Sequence, residues 1–201
     1  MSLKIGITGG IGSGKTIVSK FFETQGYSVF YADLIAKQLL SDDSNIQSKI
    51  IAAFGKDAYC SGLPNKEFLA KTVFSNSDKL ALINSILHSP TIARIKKLCE
   101  TELLNKDLVF VEAALIYEAG MQDIFDYILV VTAEEKLRIN RIVERENTTE
   151  KDIRRRMDNQ IPEENKIALA DFVIYNNGTK DELENKANLF LTIFKSLTKK
   201  N

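Results

Sequence analysis

Hydrophobic positions along the chain follow two patterns, short runs rich in β-branched residues and longer stretches with helical spacing. The first short run, LKIGIT (3–8), is followed by a stretch in which Ile17, Val18, Phe21 and Phe22 would lie on one face of a helix. Strands rich in Val, Ile and Phe that alternate with helices predict a mainly parallel sheet covered on both sides. We therefore expect a three-layer α/β/α fold. The five predicted strands are LKIGIT (3–8), YSVFYA (27–32), LVFVEAALIY (108–117), YILVVT (127–132) and FVIYN (172–176).

One long interval, residues 34–105, does not fit a simple crossover between parallel strands. It could be an elaborated connection that only enlarges the core, or a helical domain beside the strand ends that receives a second substrate. We expect the second, an acceptor-binding domain over 34–105. Its helical patterns are LIAKQLL, IQSKIIAAF, NKEFLAKTVF, LALINSIL and IARIKKLCETELL.

A second unusual segment, residues 138–160, is rich in arginine and is interrupted by NTT. Thr149 followed by Asp152 resembles a capping box, which predicts that a new helix starts there. A solvated charged helix is the usual explanation of such a run, but arginine suits planar, bidentate contact with phosphate. We expect an arginine-rich lid over 141–160. The core is then formed by residues 1–33, 106–140 and 161–201.

Charge and composition narrow the classes of partner. Lysine and arginine together number 27, as do aspartate and glutamate, so no overall field attracts nucleic acid or an anionic membrane. Cys60, Cys99 and the single histidine, His88, lack the spacing of a zinc site or a disulfide framework. The N-terminus lacks a secretory signal, and no apolar run reaches membrane-spanning length. We expect a cytoplasmic protein, a monomer or a weak homo-oligomer, whose partners are small molecules.

The strongest local signal is GITGGIGSGKT, in which Gly9, Gly14, Lys15 and Thr16 have the spacing of a P-loop. Glycine permits positive φ and lets backbone amides approach phosphate oxygens. The following helix adds the positive end of its dipole, Lys15 would reach the β- and γ-phosphates, and the Thr16 hydroxyl would bind Mg²⁺. A strand before the loop and a helix after it agree with this mechanism. The loop predicts that a nucleoside triphosphate binds.

Three classes of P-loop protein can be compared with the rest of the chain. The segment NKDL (105–108) precedes a strand and has the wrong spacing for guanine recognition, and the chain is too short for the interface machinery of a motor ATPase. A small-molecule kinase needs a carboxylate near the acceptor hydroxyl, and Asp33 ends the second strand in VFYAD. The alternative role of Asp33 is to cap the helix LIAKQLL. A non-catalytic module that senses ATP is the rival from another class.

The ordered set of motifs resembles that of the dephospho-CoA kinase family from Ile5 to about Gly178. This resemblance implies a P-loop NTPase fold and ATP-dependent phosphorylation of the ribose 3′-hydroxyl of dephospho-CoA, with Mg²⁺. A P-loop kinase acting on another small acceptor, such as a nucleoside monophosphate or a sugar, is the nearest alternative. The motifs are GITGGIGSGKT, YAD followed by LIA, LINSILH, LIYE, FDYILVVTA, RIVERE, RRRMDNQ and ADFVIYNNG.

The resemblance also implies roles for individual residues. Asp33 would be the catalytic base, Lys15 and Arg141 would act at the phosphates, Thr16 would bind Mg²⁺, and Glu112 would occupy an acidic strand position. The implied ATP-binding residues are Gly10, Ile11, Gly12, Ser13, Gly14, Lys15, Thr16, Ile17, Arg145, Arg156 and, near the adenine, Asn176. The implied acceptor-binding residues are Asp33, His88, Leu115, Tyr117 and Glu118.

The chain departs from the family pattern at five positions, none of which removes a group that the proposed chemistry requires. Tyr31 replaces a frequent acid, Lys66 a common arginine, Ala114 a usual proline and Arg138 a frequent glutamine. Ser89 separates His88 from Pro90, so the turn there is expected to differ.

Overall fold

The computed structural model describes residues 1–74 and 76–199. The strands are β1 (Leu3–Thr8), β2 (Ser28–Tyr31), β3 (Tyr59–Cys60), β4 (Leu63–Pro64), β5 (Leu108–Glu112), β6 (Tyr127–Thr132) and β7 (Phe172–Tyr175). The α-helices are α1 (Lys15–Thr24), α2 (Ala32–Asp42), α3 (Ser44–Phe54), α4 (Lys66–Phe74), α5 (Ser77–Glu102), α6 (Glu135–Glu146), α7 (Glu150–Met157), α8 (Glu163–Leu169) and α9 (Lys180–Thr198). The chain divides into two compact units, Met1–Tyr31 with the chain from Leu98 onward, and Ala32–Lys97.

The first unit contains a parallel sheet with the strand order β2-β5-β1-β6-β7. The predicted five-stranded parallel sheet with helices on both sides is confirmed. β1 is the central strand, with β5 on one side and β6 on the other, so the loop that follows β1 emerges at the middle of the carboxyl edge. Ligands of parallel sheets bind at this edge, where the strand order reverses.

One face of this sheet is covered by α1 and α9. Phe22 on α1 stacks on Phe110 of β5 with ring centroids 4.2 Å apart, and Phe194 on α9 meets Phe110 edge to face. Inward residues of β1, Leu3, Ile5 and Ile7, pack into the same cluster. Burial of these apolar side chains fixes α1 against the sheet and so fixes the loop that precedes it.

The second unit is helical apart from the β3–β4 hairpin, whose tight turn contains Ser61 and Gly62 in the left-handed region. Ile46, Ile50 and Leu69 belong to its own buried cluster. The predicted acceptor-binding range, 34–105, overlaps this unit, but that it binds an acceptor stays a prediction.

Local structure differs from the sequence-based prediction at two places. The run predicted as a strand over 108–117 is a strand only to Glu112, because the chain turns from Ala114 onward. α5 is one helix of 26 residues that continues through Pro90, so the turn expected near Ser89 between two helical patterns is not formed. The predicted start at Thr149 is confirmed, since its hydroxyl accepts the Asp152 amide at 3.2 Å.

Candidate active site

The loop between β1 and α1 has a backbone that requires glycine at three positions. Gly9, Gly12 and Gly14 have φ values of +144°, +79° and +100°. A β-carbon at Gly9 would lie 1.9 Å from the carbonyl oxygen of Val131 on β6. Because this oxygen belongs to the buried sheet, no side chain fits at Gly9 without moving the backbone. The glycine spacing is therefore a steric requirement of the loop as well as a phosphate-binding motif.

Lys15 is the first residue of α1 and folds back over the loop. Its Nζ donates to the carbonyl oxygens of Gly9 at 2.8 Å and Gly10 at 3.2 Å. The helix dipole adds positive potential at the same end. The ammonium group of Lys15, the N-terminus of α1 and the loop backbone therefore lie close together, as binding of a polyphosphate requires.

Two of the predicted ATP-binding residues flank the loop as apolar anchors. Ile11 packs against Ile139 and Ile142 of α6, whereas Ile17 packs against the sheet core. Their side chains hold the loop between α6 and the sheet.

Thr16 contacts the carboxylate at the end of β5. Its hydroxyl donates to Glu112 Oε1 at 3.0 Å, and Glu112 Oε2 is buried without a hydrogen-bond partner among the described residues. Oxygen donors of this kind suit Mg²⁺, which is commonly held by one or two carboxylates together with substrate phosphates. No cluster of three or more His, Cys, Asp or Glu side chains in residues 1–74 and 76–199 could hold a metal ion by itself. The residues present therefore fit a Mg²⁺ that arrives with its nucleotide.

Tyr31 lies beside this pair. It is the register partner of Glu112 across β2 and β5, and its hydroxyl donates to Glu23 Oε2 at 3.0 Å. Burial, followed by the hydrogen bond and charge of Glu23, raises the pKa of Tyr31 above its usual value. Tyr31 therefore stays a neutral phenol at physiological pH and adds no negative charge beside Glu112.

Asn176 and Arg141 support the loop from its other side. The buried Asn176 amide donates from Nδ2 to the Ser13 carbonyl oxygen at 2.8 Å, and a β-carbon at Gly14 would lie 2.4 Å from the same nitrogen. Arg141 donates from one terminal nitrogen to the Asn176 carbonyl oxygen at 3.0 Å. Its other terminal nitrogen is buried and, within the described chain, has no hydrogen-bond partner. This second terminal nitrogen therefore retains donor capacity that no described residue uses.

Glu163 and Arg138, which sequence reasoning did not select as site residues, also contact the loop. Glu163 Oε1 accepts the Gly10 amide at 3.3 Å, and Glu163 Oε2 pairs with Arg138 at 3.3 Å. In the sequence, Arg138 was noted only as a departure from the pattern of the family that the chain resembles. No motif marks Glu163 as a site residue.

Apart from Arg141, the arginines of the predicted lid are exposed and pair with nearby carboxylates. Arg145 and Arg156 both bind Glu146, the second at 2.6 Å. These hydrogen bonds, that of Arg145 first, lower the pKa of Glu146. Arg154 is paired with Glu150 and Glu135. The structure shows no contact of Arg145 or Arg156 with the described residues of the glycine loop.

The turn after β5 carries Leu115, Tyr117 and Glu118. Glu118 Oε1 accepts from the Ile161 amide at 2.9 Å and lies 3.2 Å from Nζ of Lys166, whose side chain is fully buried on α8. Glu118 Oε2 and the Tyr117 hydroxyl are buried without partners in the described parts of the chain. Burial, with the charges of Asp171 and Glu118, raises the pKa of Tyr117 to about 12. Both groups therefore retain hydrogen-bonding capacity that no described residue uses.

Asp33 and His88 belong to the second unit. Asp33 is the second residue of α2, not the residue before it, so it does not occupy the N-cap position considered from the sequence. His88 lies on α5, and burial lowers its pKa. His88 is therefore neutral at physiological pH.

Comparison with known proteins gives one consistent result. A family model described as dephospho-CoA kinase matches residues 3–182. A dephospho-CoA kinase of Chlorobium chlorochromatii is 35% identical over 192 residues, covering 92% of this chain and 91% of that protein. The corresponding protein of Corynebacterium glutamicum is 35% identical over 190 residues, with 93% and 96% covered. The solved dephospho-CoA kinase of Campylobacter jejuni superposes with a TM-score of 0.73 at 24% identity, covering 98% and 99% of the two chains.

Proposed function

This chain belongs to the dephospho-CoA kinase family, and we propose which of its residues carries out each part of that family's reaction. The reaction is the ATP-dependent phosphorylation of dephospho-CoA to coenzyme A, the last step of coenzyme A biosynthesis. The observation that carries the assignment of roles is the loop Gly9–Thr16, with its three positive-φ glycines and the ammonium group of Lys15 at the start of α1.

In this proposal the loop amides and Lys15 bind the β- and γ-phosphates of ATP. Arg141, whose second terminal nitrogen has no hydrogen-bond partner among the described residues, neutralises charge on the migrating phosphoryl group. Arg145 and Arg156 release Glu146 and bind the phosphates instead. Their closure over the phosphates would exclude water from the reaction. Asn176 fixes the loop through Ser13, and its predicted nearness to the adenine is part of the proposal.

Mg²⁺ would be held by the Thr16 hydroxyl, and the Glu112 carboxylate would orient that hydroxyl and bound water. The bound ion would supply charge neutralisation between the β- and γ-phosphates. The family supports ATP as the donor; Mg²⁺ rests on the fit of these two side chains.

The acceptor side of the reaction is assigned to Asp33, His88 and the turn Leu115–Glu118. The 3′-oxygen of the ribose forms a bond to the γ-phosphorus while the bond from that phosphorus to the β,γ-bridging oxygen breaks, and Asp33 takes the hydroxyl proton. Tyr117 and Glu118 offer the unpartnered oxygens described above to the acceptor.

The test compares Asp33→Asn with Asp42→Asn, which makes the same change at an exposed position of the same helix. Loss of a general base lowers kcat by about 10²–10⁴-fold, so Asp33→Asn should show such a loss while its Kd for ATP stays within about twofold. Asp42→Asn should match the parent protein. Normal turnover by Asp33→Asn would remove Asp33 from the mechanism.

Two further expectations stay predictions. These are the cytoplasmic location and the monomeric or weakly associated state. Among the described residues, no helix combines the length and apolarity that crossing a membrane needs.

A further inference from the structure

The carboxylate of Glu163 lies against the phosphate-binding loop, where a negative charge is unexpected. Its two oxygens have different partners: Oε1 accepts the Gly10 amide and Oε2 pairs with Arg138, each at 3.3 Å. The side chains of Arg138 and Glu163 are only 8% and 12% exposed. A carboxylate with so little exposure is poorly screened by solvent and would repel a triphosphate bound to the same loop.

The loop backbone packs tightly on this pair. A β-carbon at Gly10 would lie 2.0 Å from a terminal nitrogen of Arg138 and 2.5 Å from Glu163 Oε2. A β-carbon at Gly12 would lie 2.5 Å from the Arg138 carbonyl oxygen. Arg138 thus contacts the loop through both its side chain and its main chain.

Both partners are presented by fixed elements. Arg138 lies in the first turn of α6. The same helix is fixed against the loop because its residues Ile139 and Ile142 are buried against Ile11. Glu163 lies one turn from Lys166, whose fully buried ammonium group pairs with Glu118. Neither side chain is therefore positioned by a mobile surface segment.

We propose that Arg138 and Glu163 form a positioning pair for the phosphate loop. Glu163 fixes the Gly10 amide, and Arg138 cancels the charge of Glu163 so that the loop can still accept a polyanion. This proposal depends on the proposed function in one respect: both require that ATP binds to the glycine loop.

Three variants separate the charge of the pair from its hydrogen bonds. Arg138→Gln leaves Glu163 uncompensated, so Kd for ATP should rise about tenfold, and the difference should shrink at high salt. Glu163→Gln keeps an oxygen that can accept the Gly10 amide and removes the negative charge, so Kd should not rise. The double variant Arg138→Gln/Glu163→Gln is neutral again and should return to within about threefold of the parent protein.

Glu164→Gln is the matched control, because it removes the same charge from the next residue of α8, which is exposed. Its Kd for ATP should stay within about twofold. Binding is measured by calorimetry on the full chain with ATP and Mg²⁺, and KM for ATP and for dephospho-CoA is measured in parallel. Only the ATP constants should change.

Two outcomes would overturn the proposal. If the double variant binds ATP no better than Arg138→Gln, Arg138 is a direct phosphate ligand and not the partner of Glu163. If Arg138→Gln binds like the parent protein, or raises both KM values together, the pair has only a structural role. If the parent protein itself binds no ATP, the proposed function fails instead, so the two failures are distinguishable.

Discussion

The fully buried ammonium group of Lys166 allows a quantitative prediction about stability. Lys166 Nζ lies 3.2 Å from Glu118 Oε1 and 3.4 Å from Gln160 Oε1, and none of its side chain is exposed. Lys166→Met keeps most of the apolar stem but removes the cation, so the Glu118 carboxylate stays in the interior with the Ile161 amide as its donor. Breaking a buried ion pair by removing one partner costs about 3–5 kcal/mol of unfolding free energy.

The expected change in melting temperature follows from the size of the chain. For a protein of 201 residues, 1 kcal/mol corresponds to about 2–4 °C. Lys166→Met should therefore lower Tm by about 6–20 °C, measured by calorimetry without ligands. Adding Glu118→Gln should recover much of the loss, because the double variant has no buried charge at this pair and the new amide oxygen can still accept the Ile161 amide.

The control for this prediction is Lys180→Met. Lys180 pairs with Glu184 at 3.3 Å, but the two side chains are 69% and 35% exposed. An exposed pair contributes at most about 1 kcal/mol, so Tm should fall by only a few degrees. Equal changes for Lys166→Met and Lys180→Met would refute the reasoning that burial makes the first pair critical.

Two further predictions concern the metal and the thiols. Thr16→Ala should raise the Mg²⁺ concentration needed for half-maximal activity by about tenfold, while binding of ATP without Mg²⁺ stays within about twofold; an unchanged Mg²⁺ requirement would exclude the Thr16 hydroxyl as a metal ligand. A thiol reagent at about pH 8 should modify the exposed Cys60 rapidly and Cys99 only on unfolding, because burial raises the pKa of Cys99 to about 11. Two rapidly reacting thiols in the folded protein would contradict the buried position of Cys99.

Features that depend on neighbouring residues in the chain could be predicted from the sequence. The glycine loop and the Thr149 cap are of this kind, because their backbone geometry and hydrogen bonds involve residues within a few positions of one another. The five strands of the parallel sheet were also recognisable from their apolar runs. The end of β5 was not, since LVFVEAALIY stays apolar on both sides of the turn that follows Glu112.

Features that depend on tertiary packing could not be predicted in the same way. Glu163 and Lys166 occur in PEENK, where no motif marks them as buried or functional, and only the folded chain places them on Gly10 and Glu118. Proline usually ends or bends a helix, yet α5 continues through Pro90. The family resemblance supplied the identity of the acceptor, which the spacing of residues alone could not give.

The central claim is that the loop Gly9–Thr16 delivers the γ-phosphoryl group of ATP to dephospho-CoA. The most direct measurement is release of ADP by the parent protein with and without dephospho-CoA, combined with mass and ³¹P analysis of the product. The account predicts that ADP release depends on the acceptor and that the product carries one new phosphate on the ribose 3′-oxygen. ADP release at the same rate without dephospho-CoA, or a product phosphorylated elsewhere, would contradict it.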